Sequence, residues 1–166
     1  SIMKKNSNVV LYIAGPLDIP DELMEFKSRI RAVPFMDWRN LPSMISLVDI
    51  NIAPLEDTIF NRAKSENKWV EASLVKTVTV ASNVGAFAEM IDDKVTGFLC
   101  KEDEWDTCLD ELVKDDSLRK HVANTAFEYV KEKCTTINNG NDLAQFVREK
   151  TERTAVFVFP STEISG

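Results

Sequence analysis

The sequence predicts an α/β domain that is doubly wound, with a mostly parallel sheet and helices on both faces in a Rossmann-like arrangement. Two observations predict this class. Five short apolar segments alternate with helical segments, and the apolar segments are nearly continuous, as in strands buried on both faces. The length of 166 residues suits one domain, and 44% apolar with 28% charged residues is typical of globular proteins.

The five predicted strands each run into a proline, a glycine or a turn. The first is a nearly unbroken apolar run that ends at Gly15, and Pro34 and Pro54 stop the second and third. The fourth is rich in β-branched residues, which favour strands. The predicted strands cover residues 8–14, 29–33, 49–53, 77–81 and 97–100.

The segments between and after the strands carry helix signals. Pro20 and two acidic residues mark the start of a helix at residue 21, and Asn40 with Pro42 marks another. Later segments show apolar residues at steps of three and four, as in amphipathic helices. The predicted helices cover residues 21–29, 41–47, 63–75, 86–91, 102–114, 117–133 and 142–150, with a turn at 138–141.

Residues 1–150 are predicted to form one Rossmann-like domain. Residues 151–166 follow it as an extra strand at 155–159 and a tail that contains glycine and serine. This last strand either completes the sheet or begins a following domain. Because the strands of such a sheet are parallel, ligands are expected outside their carboxyl ends, at residues 15–20, 34–39, 54–62 and 82–85.

Charge and composition argue against several classes of function. The net charge of −7 argues against a general nucleic-acid binder. No transmembrane segment is predicted because no apolar run is long enough, and no signal peptide is visible, which indicates a cytoplasmic protein. His121 is the only histidine and the three cysteines form no paired motif, so no metal ligand or histidine-based catalytic residue is predicted.

The most informative segment is residues 60–72, which is predicted to open a helix just after the third strand. A helix N-terminus offers unpaired N–H groups and the positive end of the helix dipole, and both suit a phosphate. Lys64, Lys68 and Glu71 are spaced i, i+4 and i+7, which predicts one shared face. The two ammonium groups could neutralise a diphosphate, and the carboxylate could accept hydrogen bonds from two adjacent hydroxyls of a ribose.

A plainer interpretation of the same face is an ion pair between Lys68 and Glu71 that lies in solvent. Trp69, which stands between them, is predicted to pack in the core rather than to stack on a ligand. The candidate binding residues of this segment are Asn61, Lys64, Ser65, Glu66, Lys68 and Glu71.

Four motifs occur together in the order and spacing of a known family. They are residues 60–72, Val-Thr-Val-Ala-Ser at 78–82, Gly-Ala-Phe-Ala-Glu-Met-Ile at 85–91 and Val-Thr-Gly-Phe-Leu at 95–99. Over residues 8–134 the chain resembles the carboxyl-terminal half of a GT-B glycosyltransferase, most of all the glycosyltransferase family 4 type. The resemblance implies a nucleotide-sugar donor that binds between two Rossmann-like domains, of which this chain supplies one.

The resemblance also implies roles for residues of the candidate site. Glu71 corresponds to the family's second motif glutamate, which holds the hydroxyls of the donor ribose. The first motif glutamate falls eight residues earlier, where this chain has Ala63. Either Glu66 or Lys64 is therefore expected to act in its place.

Two further loops are implied to contact the donor. Phe35 and Met36 follow the second strand, where family members seat the base, and Gly15 lies where a glycine-rich loop approaches the donor. No catalytic residue, metal ligand or cofactor other than the donor substrate is predicted from this chain. By its family the transfer is expected to be retaining and to need no metal, because protein cations stabilise the leaving diphosphate.

Family members begin this domain with a further strand and helix, which this chain lacks. The chain is therefore predicted to be part of a larger glycosyltransferase of polysaccharide biosynthesis, peripheral to a membrane through the parent protein. An N-terminal acceptor domain of the same polypeptide and a glycan acceptor are its expected partners. The alternative is a non-catalytic Rossmann-like interaction module of a larger multidomain protein, which the acidic composition and Ala63 favour.

Overall fold

A computed structural model describes residues 1–150, except for the side chains of residues 137–139, 141–143 and 150. The strands are β1 (Leu11–Ala14), β2 (Ile30–Val33), β3 (Ile50–Ala53), β4 (Val78–Ser82) and β5 (Phe98–Cys100). The α-helices are α1 (Ile2–Lys5), α2 (Leu41–Ile45), α3 (Ile59–Arg62), α4 (Asn67–Leu74), α5 (Ala86–Met90), α6 (Trp105–Lys114), α7 (Asp116–Lys133) and α8 (Thr136–Lys150). Two 3₁₀ helices span Asp21–Arg29 and Trp38–Asn40.

The predicted fold class is confirmed, because every strand pair is parallel and helices separate the strands. The five strands lie within three residues of their predicted bounds. This agreement follows from composition, since a run of apolar, β-branched residues is stable when both of its faces are covered by helices.

The strands do not form the single sheet that the sequence predicts. β1 pairs only with β2, whereas β3, β4 and β5 form a separate sheet in that order. A groove of about 860 Å³ lies between them, lined by residues 9–12 and 14 on one side and residues 48–52 on the other. We call it the sheet groove. No described residue supplies a strand that could join β1 to β3 across it.

The buried side chains form three clusters, two in one part of the chain and one in the other. In the three-strand part, residues 45–133, β3 to β5 pack against α4, α5, α6 and α7, and all five residues of β4 are buried. In the two-strand part, residues 1–33, β1 and β2 pack against α1 and the first 3₁₀ helix around Met3, Phe26 and Ile30.

Polar contacts between α1 and α6 join the two parts. Lys5 Nζ donates a hydrogen bond to Asp106 Oδ2 at 2.6 Å, and Asn6 Nδ2 donates to Asp110 Oδ1 at 3.1 Å. The hydrogen bond from Lys5 lowers the pKa of the Asp106 carboxyl, although both side chains are exposed.

Three helix predictions were wrong or incomplete. The helix predicted at 63–75 is instead α4, which begins only at Asn67, with the short α3 before it. The turn predicted at 138–141 lies inside α8, since a glycine within a helix costs only about 1 kcal/mol and the better helix formers from Ala144 onward extend the same helix. The first predicted helix is present as a 3₁₀ helix over Asp21–Arg29, and α1 was not predicted. The strand predicted at 155–159 lies outside the described residues.

Candidate functional site

The carboxyl ends of neighbouring strands bring their following loops together. The N–H of Gly15, just after β1, donates to the carbonyl of Val33 at the end of β2, at 3.1 Å. In the other sheet, the N–H of Leu55 donates to Ser82 Oγ at 2.7 Å, which ties the loop after β3 to the end of β4. Each sheet therefore presents a pair of linked loops at its carboxyl edge.

Trp69 fixes the orientation of α4 beside the sheet groove. Its side chain is fully buried, and its indole Nε1 donates to the carbonyl of Thr96 at 2.8 Å. On the neighbouring strand, Asn51 Nδ2 donates to the carbonyl of Lys68 at 3.3 Å and to Thr79 Oγ1 at 3.1 Å. The prediction that Trp69 packs in the core is confirmed, and these bonds fix which side of α4 faces the groove.

Lys68 and Glu71 line the sheet groove together. The Lys68 side chain is exposed and that of Glu71 is half-buried. The ion pairs found among residues 1–150 do not join them, so the plainer interpretation of a Lys68–Glu71 pair is wrong. A cation and a carboxylate that form no ion pair with each other or with another described residue therefore share the wall of an open groove.

The N-terminus of α4 leaves backbone donors available. The N–H groups of Trp69 and Val70 donate to the carbonyl of Glu66 at 2.9 and 3.2 Å. The N–H groups of Asn67 and Lys68, in the first turn, donate to no acceptor within the described part of the chain, and no side chain caps the helix. Such amides carry the positive end of the helix dipole and suit an anionic oxygen.

Lys64 does not share a face with Lys68 and Glu71, contrary to the prediction. It lies in the turn between α3 and α4, where its Nζ is 5.0 Å from the centroid of the Phe60 ring. Two features fix the bounds of α3. Thr58 Oγ1 caps its start by accepting from the N–H of Asn61 at 3.1 Å, and at its end the backbone of Arg62 packs against Gly85.

Gly85 explains why this turn is fixed. A Cβ atom at this position would lie 2.7 Å from the carbonyl oxygen of Arg62, and the φ angle of +55° favours glycine. The loop after β4 therefore packs directly on the backbone at the end of α3. Ser65 is exposed in the same turn and, like Lys64, does not line the sheet groove.

Asn61 makes a hydrogen bond inside the chain, and Glu66 lies near the end of α7. Asn61 Nδ2 donates to the carbonyl of Glu56 at 3.0 Å and so braces the loop after β3. The pKa of the Cys134 thiol is raised by burial and further by the charge of Glu66, which places the Glu66 carboxylate near α7. Neither residue lines the sheet groove.

The loops after β1 and β2 present their predicted residues at the carboxyl edge but outside the groove wall. Phe35 is 89% exposed and Met36 is half-buried. Gly15 has a φ angle of +96° with open space around its Cα. Such exposure leaves room for a planar group to approach Phe35, and the open space allows a ligand to approach the Gly15 backbone.

Sequence reasoning missed Asn51, Tyr12 and the Asp57–Arg62 pair. Asn51 and Tyr12 line the sheet groove, and a polar residue within the apolar third strand was the sequence signal for the first of them. Arg62 Nη2 donates to Asp57 Oδ2 at 2.7 Å as one arm of a bidentate pair, which lowers the pKa of the Asp57 carboxyl. This pair closes the loop between β3 and α3.

Among the described residues, no group of three or more histidine, cysteine, aspartate or glutamate side chains is placed to hold a metal ion. Within the same 150 residues no helix is both long and apolar enough to cross a membrane.

The fold is that of the Rossmann-like carboxyl-terminal half of GT-B glycosyltransferases. It is similar to the Anabaena protein HepE in complex with UDP and glucose, at 17% identity over 75% of this chain and 33% of that one, with a TM-score of 0.64. It is also similar to the C-terminal domain of a glycosyl transferase group 1 family protein, LpcC, from Francisella tularensis, at 21% identity over 81% of this chain and 74% of that one, with a TM-score of 0.60.

A third similar structure is sucrose-phosphate synthase from Thermosynechococcus elongatus, at 16% identity over 89% of this chain and 40% of that one, with a TM-score of 0.70. The chain spans about a third of the length of HepE, of which it covers 33%. No curated protein matches the sequence. Residues 1–115, more than half of the chain, match the family described as glycosyl transferases group 1, and the chain belongs to that family.

Proposed function

We propose that this chain is the donor-binding part of a glycosyltransferase and holds a nucleoside diphosphate sugar at the wall formed by α4. The observation that carries the proposal is the placement of Lys68 and Glu71 together in the sheet groove, next to the open amides of α4. Membership of the glycosyl transferase family and the occurrence of UDP in the HepE structure support it.

The order of groups along α4 fits a nucleoside diphosphate bound lengthwise. The free N–H groups of Asn67 and Lys68 and the Lys68 ammonium carry positive charge, which suits the diphosphate. The Glu71 carboxylate, one turn further along, is positioned to accept hydrogen bonds from two ribose hydroxyls. Its lack of a protein partner among the described residues leaves both of its oxygens available.

In the proposed transfer, the bond between the sugar and the diphosphate breaks and negative charge develops on the leaving diphosphate. Fixed amides and a cation stabilise that charge without reorganising, which is the usual source of a large rate enhancement. We infer retaining transfer that needs no metal and no cofactor beyond the donor. A sugar acceptor of the glycan type and a role in polysaccharide biosynthesis belong to the same proposal.

The carboxyl edge of the sheets suits a second domain that carries the acceptor. Large apolar side chains are exposed in the segments that follow β1, β2 and β3, and these are Leu17, Phe35, Trp38, Ile59 and Phe60. Because exposed apolar surface at one edge of a protein often marks an interaction site, we propose that an N-terminal acceptor domain of the same polypeptide faces this edge. Phe35 and Met36 are then placed to contact the base. We infer a cytoplasmic location, peripheral to a membrane through the parent protein.

A second candidate function is a non-catalytic interaction module. It is favoured by Ala63 at the position of the first motif glutamate and by Lys64, which lies over Phe60 instead of in the groove. Under this alternative the carboxyl edge binds a protein partner and the groove wall binds no nucleotide.

Titration of the chain with UDP, followed by NMR chemical shifts and calorimetry, tests the proposal. The amide signals of Asn67 and Lys68 are expected to shift. Replacing Lys68 by methionine, or Glu71 by glutamine, should weaken binding about ten- to a hundredfold, the cost of one hydrogen bond to a charged group. Wild-type binding is expected to be weak, since the opposite domain contributes nothing.

The Lys64→Met variant is the matched control. It removes the same charge from the same sequence neighbourhood, but at a side chain outside the groove wall. The affinity of this variant for UDP should stay within about twofold of the wild-type affinity. Shifts confined to residues away from α4, or an equal loss of affinity in the Lys64→Met and Lys68→Met variants, would contradict donor binding at this wall and favour the interaction module.

A further inference from the structure

We propose that Cys100 and Cys108 form a redox site, at which a peroxide converts their two thiols into a reversible disulfide between β5 and α6. Neither residue lines the sheet groove, so this site is separate from the wall formed by α4. The two thiols take no part in the proposed sugar transfer, and their oxidation does not depend on the donor that α4 binds.

A short turn places α6 beside the end of the strand that precedes it. Cys100 is the last residue of β5, and Cys108 lies at the start of α6. In the turn between them, Glu104 Oε2 accepts from the N–H of Lys101 at 2.9 Å, and the N–H of Glu104 donates to the carbonyl of Lys101 at 3.1 Å. Two cysteines that form no paired motif in the sequence are therefore neighbours in the fold.

The buried face of α6 brings the two thiols into contact. This face packs in the core cluster formed with β4 and β5, and its residues are Trp105, Cys108, Leu109 and Leu112. Cys100 belongs to the same cluster, and the Cys108 side chain is hydrogen-bonded to its thiol. Because the two sulfur atoms already touch, a disulfide needs a small approach of the side chains and no rearrangement of the backbone.

The two thiols differ in exposure, and this difference sets the order in which they react. Cys100 is 1% exposed, whereas Cys108 is half-buried and has part of its surface in solvent. Burial raises the pKa of the Cys100 thiol, and the contact with Cys108 and nearby acidic side chains raise this pKa further. Because a protonated thiol is a poor nucleophile, the oxidant reacts first with Cys108.

The acidic surroundings favour one class of oxidant. The charges of Glu104 and Asp93 act on the Cys100 thiol, and the whole protein has a net charge of −7. An anionic oxidant such as glutathione disulfide is repelled by these charges, whereas hydrogen peroxide is neutral and small enough to reach a half-buried sulfur. The site is therefore suited to a peroxide.

The oxidation takes place in two balanced steps. The Cys108 sulfur attacks one oxygen of the peroxide, the O–O bond breaks, and the leaving hydroxide takes the thiol proton and becomes water. Cys108 is then a sulfenic acid. The Cys100 sulfur attacks the Cys108 sulfur, the S–O bond breaks, and the hydroxide leaves as a second water with the proton of Cys100. Two thiols are oxidised to one disulfide, and one peroxide is reduced to two waters.

Cys134 provides a control inside the same chain. It is half-buried, as Cys108 is, but it packs against the other core cluster of the three-strand part, which contains Trp69 and no second cysteine. We therefore expect Cys134 to form no disulfide within the chain.

The test treats the reduced chain with hydrogen peroxide, blocks the remaining thiols with iodoacetamide and digests the protein without reduction. Trypsin cleaves after Lys101, which leaves Cys100 in the peptide 95–101 and Cys108 in the peptide 102–114. We expect mass spectrometry to find these peptides joined, lighter than their sum by two hydrogen atoms, and separated again by dithiothreitol. The disulfide should form at least about tenfold faster than any disulfide of Cys134, because only Cys100 and Cys108 are in contact.

Cysteine-to-serine variants test the order of the two steps. Cys134→Ser should leave the cross-link unchanged, whereas in Cys108→Ser the Cys100 thiol should stay reduced. In Cys100→Ser the reaction should stop at the Cys108 sulfenic acid, which dimedone labels, and circular dichroism checks the fold of this variant because Cys100 is buried.

Four outcomes would overturn the proposal. They are free thiols at both positions after peroxide treatment, a disulfide of Cys134 that forms as fast, a rate of cross-linking that rises with protein concentration, and oxidation of Cys100 that is equal in Cys108→Ser and in the wild type. None of these measurements involves UDP, so the result is independent of the donor-binding proposal.

Discussion

The two-strand and three-strand parts of the chain differ sharply in how well their side chains are buried. In the three-strand part, Trp69, Phe98 and Leu112 have no exposed surface, and every residue of β4 is buried. In the two-strand part, β1 alternates between half-buried and exposed residues, and two of the four residues of β2 are exposed. The two parts have similar strand lengths and similar apolar sequences, so composition does not explain the difference.

The number of neighbouring strands explains this difference in burial. β4 lies between two strands, whereas β1 and β2 each have one strand neighbour in their sheet. A strand with one open edge keeps its backbone and its flanking side chains in contact with solvent. We therefore expect the free energy of unfolding to be concentrated in the three-strand part, with the two-strand part opening at a lower cost.

The largest loss of stability is expected from Trp69→Ala. Removing this indole leaves a large cavity and an unpaired carbonyl at Thr96, and should lower the global free energy of unfolding by about 3–5 kcal/mol. Urea denaturation followed by far-UV circular dichroism measures it.

The counterpart in the two-strand part is Phe26→Ala. It should open residues 1–33 locally and leave amide exchange in β4 nearly unchanged. If Phe26→Ala deprotected β4 as strongly as Trp69→Ala, the chain would unfold as one unit and the comparison would fail.

A smaller effect is expected from a pair of glycines, one in each part. Both have positive φ, but only Gly85 has a backbone atom, the carbonyl oxygen of Arg62, at 2.7 Å from the position of a Cβ. Gly85→Ala should cost about 2–5 kcal/mol, from backbone strain and the clash together. Gly15→Ala meets open space and should cost only the strain, about 1–2 kcal/mol. Thermal unfolding of the two variants gives the difference, and equal losses would contradict the packing of Arg62 on Gly85.

The smallest effect concerns the link between the two parts. The hydrogen bond from Lys5 lowers the pKa of Asp106 in the folded chain, so its contribution is fully present above the ordinary pKa of an aspartate. This stabilising contribution is lost as the pH falls through the lowered pKa of Asp106 in the folded chain. Amide protection of β1 relative to β4 should therefore be steady down to about pH 4 and decrease as the pH falls further, and this decrease should be smaller in Asp106→Asn. Because both groups are exposed, 1 M salt should also weaken the link at pH 6. A pH dependence unchanged in Asp106→Asn would show that other carboxylates control the opening.

The sequence allowed the strands to be predicted because the apolar content of each one is a local property. The separation into two sheets could not be predicted in the same way, because nothing within residues 8–14 or 49–53 specifies which strand lies beside them. Strand pairing depends on segments that lie far apart in the chain. Only the resemblance to a family, and not the periodicity of the sequence, indicated that this chain lacks a strand of the family's sheet.

The candidate site, too, could be predicted only where the placement of its residues depends on local structure. Lys68 and Glu71 are one turn apart within α4, so their common placement follows from helix geometry alone. Lys64 was misplaced because the break before Asn67 depends on packing against Gly85, more than twenty residues later. Thr58 was an available local signal for the start of a separate helix, since threonine is a common N-cap, but it does not indicate where that helix ends.

The buried hydrogen bond of Trp69 has a practical consequence for spectroscopy. The chain holds three tryptophans, of which Trp38 is largely exposed and Trp105 is half-buried. Replacing those two by phenylalanine leaves a single indole, held between a carbonyl and the ring of Tyr129, whose centroid is 6.0 Å away. Its fluorescence would then report on the surroundings of Trp69, which directly follows Lys68 in the sequence, without any attached dye.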